Sequence, residues 1–251
     1  MQRLKPLFLV LLCLICTAIF YSILSYFEHP TPPLSPIRWI VQTGPLKEGL
    51  KTDYLAEVLT LSSDRPKAIR AEEAQETLVK NPLIKKASVS LINPETLYID
   101  YTLRQPMFCL GDLRNIAADK EGNLFPLSPF FTPKRIPKLY LGEENLELSW
   151  NTVIEGKRFT LALELMQLIG DSYRVLSIDV SQGLQSTLGK REVVIILDNE
   201  NSGRHYLRLT PKSFHQELLH YAKIRERLLN ESFVVDLRVP QLAFLTQLTE
   251  R

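Results

Sequence analysis

The sequence predicts an α+β protein: a single N-terminal transmembrane helix, a β-α-α-β-β unit, then a mixed antiparallel β-domain with two helices. Three observations predict it. Residues 7–27, LFLVLLCLICTAIFYSILSYF, form one apolar run without a charge. Residues 37–103 read as strand, two helical stretches and two alternating strands. Beyond Pro106 the pattern becomes short strands and turns interrupted by two helical periodicities.

The run over 7–27 comes first. As a helix it would be about 32 Å long at ~1.5 Å per residue, enough for a bilayer core of about 30 Å. Arg3 and Lys5 precede it and Glu28 follows, so the positive-inside rule keeps residues 1–6 in the cytoplasm and exports the rest. A cleaved signal peptide is the rival reading. Against it stand the length of the run and the absence of a small-x-small site, since Ser22-Ile23-Leu24 and Ser25-Tyr26-Phe27 place large residues where small ones are needed. Residues 28–36, EHPTPPLSP, then form a stiff, extended proline-rich linker.

The chain carries 30 basic and 28 acidic residues, and removing Arg3 and Lys5 leaves 28 of each sign. The exported part therefore has no basic surplus that would point to nucleic acid. Apolar residues make up 45%, enough for a packed core. Cys109 is the one cysteine outside the run, so the exported fold must stand on packing rather than disulfides. Between Phe108 and Leu110 it reads as a buried thiol.

Ile37, Trp39 and Val41 alternate with Arg38 and Ile40 in a first short strand that ends at Gly44-Pro45. Leu50, Tyr54, Leu55, Val58 and Leu59 recur at helical spacing, as do Ala71, Ala74 and Leu78, and the second helix stops at Asn81-Pro82. Ala87, Val89 and Leu91 share one face of the next strand. Leu97, Ile99, Tyr101 and Leu103 share one face of its successor, with Asn93-Pro94-Glu95 as the hairpin turn. Both helices are expected on one face of a three-stranded sheet, with Val89 and Leu97 in the core.

NIAAD and NLFPL flank a turn at Lys120-Glu121-Gly122, and prolines 126, 129, 133 and 137 mark an irregular stretch. A helix is expected near Lys157–Ile169, with Phe159, Leu163, Met166 and Ile169 inward and Gly170 as its cap. RVLSIDV, EVVIIL and HYLRL read as strands. Thr210 then caps a long helix with Pro211 at its first position, and Phe214, Leu218, Tyr221, Ala222 and Leu228 form its buried stripe. SFVVDLR is the last strand, with Phe233, Val235 and Leu237 alternating against Val234, Asp236 and Arg238.

These residues resemble the FtsQ/DivIB family of bacterial division proteins. Pro82, Ile84, Ala87-x-Val89, Pro94-x-x-Leu97 and Arg104-x-Pro106 follow that family's signature in order. Asp119, Gly122 and Phe125 resemble its turn motif, and Val235-Asp236-Leu237-Arg238 its C-terminal motif. The resemblance implies a POTRA domain at 37–105 and a β-domain at 106–251. It implies a non-enzymatic protein of the cell inner membrane that scaffolds septum formation by binding FtsB- or FtsL-like division proteins. It also places the partner-binding positions at Arg238, Val239, Gln241 and Phe244. Residues 126–195 match only loosely, and Pro240 departs from the pattern because it removes an N–H.

Little points to catalysis, a metal or a cofactor. His215 and His220 are five apart, about 140° around a helix, and do not share a metal comfortably. Gly183 to Arg191 has one residue too many for a P-loop and an Arg where Ser or Thr holds Mg²⁺. No Gly-x-Ser-x-Gly or Ser-x-x-Lys occurs. Asn230-Glu231-Ser232 is a formal glycosylation triplet of a kind common by chance. Arg104 reads as a solvated strand end, Asp119 and Gly122 as turn residues, and Lys212, Lys223, Arg225 and Arg227 as a polar helix face. The competing functions are a membrane-anchored envelope hydrolase or transpeptidase, and a POTRA-containing transport or assembly factor. The former lacks a nucleophile–base pair; the latter usually carries a barrel for which no length remains.

The segment after Leu237 is apolar. If 234–244 lies at a sheet edge, its unpaired backbone groups accept a partner's strand; otherwise it is the last core strand plus a frayed tail.

Overall fold

The computed structural model describes residues 14–22, 35–62, 66–132, 135–142, 150, 152–198, 203–228 and 231–248. Helix α1 covers 14–22. No helix among the described residues is long and apolar enough to cross a membrane, which corrects the transmembrane element of the expected fold. The remainder of 7–27, and residues 28–34 of the linker, lie outside the described residues.

The first sheet has the order β1-β3-β2, with β1 Trp39–Thr43, β2 Ile84–Asn93 and β3 Thr96–Leu103. β1 runs parallel to β3 because two helices, α2 Thr52–Val58 and α3 Ala71–Val79, fill the crossover. β2 and β3 form the hairpin. Leu55, Leu59, Ala74 and Leu78 from the helices share one core with Val89, Leu97, Ile99 and Tyr101, so both helices cover the same face. In β1 the outward residues are Trp39 and Val41, while Ile40 is half-buried. The Tyr101 hydroxyl accepts from the Leu50 N–H at 2.7 Å, satisfying a buried donor where the chain enters α2.

The second sheet has nine strands in the order β12-β11-β10-β9-β8-β7-β4-β5-β6. They are β4 Phe108–Leu110, β5 Ile116–Ala118, β6 Leu124–Pro126, β7 Lys138–Tyr140, β8 Arg174–Asp179, β9 Val193–Asp198, β10 Arg204–Leu209, β11 Phe233–Asp236 and β12 Phe244–Gln247. The sheet is not antiparallel throughout: β4·β7, β7·β8 and β10·β11 are parallel pairs. For the last two pairs the reason lies in the helices. α4 Lys157–Ile169 connects β7 to β8, and α5 Phe214–Arg225 connects β10 to β11, and a helical crossover returns the chain in its original direction.

Both helices cover one face. Val193, Ile195, Leu197, Leu207, Leu209, Val235 and Leu237 point into a core with Phe159, Ala162, Leu165, Phe214, Leu218 and Tyr221. The buried stripe of α4 is shifted from the expected one, since Ala162 and Leu165 are buried and Leu163 and Met166 only partly so. Ala222 of α5 is exposed. α5 begins at Phe214, three residues later than expected; Thr210 does not cap it but donates its N–H and hydroxyl to the Glu217 carboxylate at 2.7 and 2.6 Å.

Among the described residues, the opposite face of the nine-stranded sheet is covered at one end. There Ala117, Phe125 and Phe131 belong to the core of the first sheet and its helices. Arg104 is not solvated. It pairs with Asp119 at 3.0 Å, and Asp119 also accepts from the Glu121 and Asn123 backbone N–H groups. The two sheets are thereby clasped where the chain passes from β3, ending at Leu103, to β4, starting at Phe108.

Candidate partner-binding edge

The expected edge strand is interior. β11 pairs with β10 on one side and with β12 on the other. The chain turns back at Pro240-Gln241, where Gln241 takes φ 63°, and adds Phe244–Gln247 as one further antiparallel strand. Among the described residues the sheet therefore ends at β12, with no strand on its far side. Pro240 breaks no ladder because it sits in the turn. Phe244 alone of the four expected contact positions lies on the edge strand; Arg238, Val239 and Gln241 lie in the connection.

The register fixes what β12 shows. Phe244 stands opposite Asp236, in a row with Arg208 and Val194 on the uncovered sheet face. Leu245 stands opposite Val235, in a row with Leu207 and Ile195 on the helix-covered face. All four β12 residues are exposed, Phe244 at 56% and Leu245 at 46%. Val239, Leu242 and Leu248 are exposed beside them. The edge carries no charge and no proline, the two devices that usually guard such a strand. Leu242, Leu245 and Leu248 escaped the sequence reading; the signal that would have found them is a turn pair, Pro240-Gln241, ahead of a second short apolar run.

Arg238 is already engaged. Its Nε donates to Asp236 Oδ1 at 2.9 Å and its Nη2 to Asp236 Oδ2 at 2.6 Å. Its Nη1 lies 3.2 Å from Glu192 Oε2. Arg208 closes the ring, with Nη2 2.6 Å from Glu192 Oε2 and Nη1 3.3 Å from Asp236 Oδ2. Two cations and two anions thus neutralise one another on the open face. The Arg238 fork holds the Asp236 carboxyl below its usual range, and Asp236 in turn raises Arg238. The ring ties β9, β10, β11 and the start of the turn together, so Arg238 orients the segment that leads into β12.

A cleft of about 570 Å³ lies on the other side of that turn, between α5 and Pro240-Gln241. Gln216, His220 and Lys223 line it, and Glu217 forms part of its wall. Burial raises the Glu217 carboxyl, against the lowering effect of the Thr210 donors. Farther in, His205 is wholly buried. Its Nδ1 lies 2.7 Å from the Tyr221 hydroxyl and its Nε2 3.1 Å from the Leu228 carbonyl, so both nitrogens serve packing of α5 against β10. Among the described residues no group of three or more His, Cys, Asp or Glu side chains is placed to hold a metal ion.

No family model matches the chain, and no curated protein matches it.

Proposed function

We propose that this chain is a non-enzymatic assembly protein of the bacterial division machinery, resembling FtsQ/DivIB, and that it binds an extended segment of another division protein, FtsB- or FtsL-like, by strand addition at β12. The observation that carries the reading is the end of the nine-stranded sheet: an uncharged strand paired on one side only among the described residues, with Phe244 and Leu245 exposed on its two faces. Strand addition uses the free backbone groups for affinity and the alternating side chains for specificity. Phe244 would meet a partner side chain on the open face, and Leu245 one on the helix side. Val239 and Leu242 extend the apolar rim. Arg238 acts by holding the turn rather than by reaching for a partner carboxylate, because its Nε and Nη2 are engaged by Asp236 and its Nη1 lies against Glu192. Scaffolding of septal wall synthesis at the inner membrane, with the folded part on its outer side, belongs to the same proposal and rests on the resemblance and on the composition of residues 7–27.

The test is a binding titration of the full chain against an FtsB-like exported segment, with thermal melting alongside. Leu245→Lys should weaken binding at least tenfold and leave melting unchanged, since an exposed edge side chain contributes little to the core. Binding by Leu245→Lys equal to wild type, or no binding by the wild-type chain, would sink the reading.

A further inference from the structure

The cleft of about 570 Å³ between α5 and the Pro240-Gln241 turn is of the size that takes ligands, roughly 300–1,000 Å³. His220 and Lys223 are neighbours on its α5 wall, three positions apart. Neither has a hydrogen-bond or ion-pair partner among the described residues. Gln216 lies one turn before His220 and adds a further donor. The acidic residue of the wall, Glu217, is already engaged: its Oε2 accepts from the Thr210 N–H at 2.7 Å and its Oε1 from the Thr210 hydroxyl at 2.6 Å. The cleft therefore offers an ammonium and further donors, while its own carboxylate is tied to the end of β10. It also adjoins the edge strand. Gln241 lies three positions before Phe244, at most about 10 Å along an extended chain. Leu245 is turned to the helix-covered face, the face on which α5 lies.

We infer that this cleft is a second contact for the segment that adds to β12: beside Phe244 the partner's chain passes to the α5 side and sets acidic side chains against Lys223 and His220. The inference rests on strand addition at β12 and supplies the chemistry of the partner, an acidic stretch next to the added strand. Backbone pairing gives affinity but selects poorly among extended segments, and β12 itself carries no charge with which to choose. The cleft makes the choice. An acidic stretch gives Lys223 the counter-charge it lacks, and Gln216 and His220 can donate to the same carboxylates. A basic stretch meets Lys223 with like charge. A purely apolar one takes the ammonium and the amide out of water without an acceptor.

Calorimetric titration of the full chain in a neutral detergent at low salt tests this with two probes: an FtsB-like exported segment, and the same segment with each Asp and Glu replaced by Asn and Gln. The wild-type chain should bind the acidic segment at least tenfold more tightly than the neutral one. Lys223→Glu should abolish that preference and leave affinity for the neutral segment within about twofold; Lys223 is exposed, so melting should not change. Lys80→Glu makes the same change of charge at an exposed position beyond the end of α3 and should bind both segments as wild type does. Leu245→Lys should weaken both segments alike. Equal affinity of the wild-type chain for the two segments, an unchanged preference in Lys223→Glu, or an equal loss in Lys80→Glu would each overturn the inference. Strand addition at β12 survives any of these results so long as Leu245→Lys still loses binding. Failure of the wild-type chain to bind either segment removes both.

Discussion

The buried His205 and the half-buried Arg238 show how single groups set the limits of this fold. Burial holds the His205 imidazole below its ordinary value of 6.5, so the folded chain keeps it neutral where the unfolded chain protonates it. Between those two values the unfolded state binds the extra proton, and stability falls as pH falls below about 6.5. His205→Gln should lower stability at pH 7.5 yet flatten the fall towards pH 5.5, measured as the difference in urea midpoints against wild type. An unchanged slope would assign the acid sensitivity elsewhere. Glu217 works in the opposite sense. Its raised carboxyl gives stability that is lost as pH rises from 4.5 through its folded value, which is why the comparison must be made with the His205 variant and not with wild type alone. Arg238→Ala should destabilise by roughly 1–3 kcal/mol, because Asp236 and Glu192 would then share a single cation. Arg238→Lys should recover only part of this, since an ammonium cannot make the two-pronged contact. If the Ala variant melts like wild type, the ring is not holding the turn. The resemblance to the division-protein family implied Arg238 as a partner contact; only the fold shows Glu192 and Arg208 meeting it from neighbouring segments of the sheet.

Strands whose two faces differ were legible, and strands defined by who pairs with them were not. In β3, Leu97, Ile99, Tyr101 and Leu103 are buried and Asp100 and Thr102 exposed, as strict alternation requires. Leu97→Ala should therefore lower stability by roughly 2–5 kcal/mol in a denaturant titration, against less than about 1 for Thr102→Ala on the other face. In β11 the alternation was equally clear, but alternation cannot say whether a strand is interior or at an edge. That depends on the turn at Gln241 and on four further residues, FLTQ, that pair back. The consequence is measurable. In the free chain the amides of Phe244–Gln247 should exchange hydrogen faster than those of Phe233–Asp236, which are flanked on both sides. A bound partner strand should slow the β12 amides and leave β1 unaffected. Equal protection of β11 and β12 in the free chain would mean that the sheet does not end where the structure places it.

At the scale of the whole molecule, the division into two sheets was visible from the change of pattern at Pro106, whereas the joint between them was not. Arg104 and Asp119 looked like a strand end and a turn, each explained locally. In space they form an ion pair buried between the two sheets, with side-chain exposures of 18% and 5%. Arg104 Nε also donates to the Pro82 carbonyl at 3.1 Å, and Lys85 meets Glu121 at 2.6 Å nearby. The rings of Tyr54 and Phe130 pack with centroids 4.9 Å apart, and Glu48 accepts from the Thr132 hydroxyl at 2.6 Å. Phe125 and Phe131 complete the first core from the far side of the boundary, so that core is not closed by residues 37–105 alone. These links make the two sheets one cooperative unit, and differential scanning calorimetry should give a single transition for the wild-type chain with equal calorimetric and van't Hoff enthalpies. Removing the cation of a buried pair leaves the anion without compensation, at roughly 3 kcal/mol. Arg104→Ala should therefore lower the melting temperature and, because the loss falls on the joint, split or broaden the transition into two. Phe125→Ala should do the same through lost packing, whereas Leu165→Ala, deep in the second core and far from the joint, should lower the melting temperature while keeping one transition. A single sharp transition in all three variants would mean that the clasp adds stability without coupling the sheets.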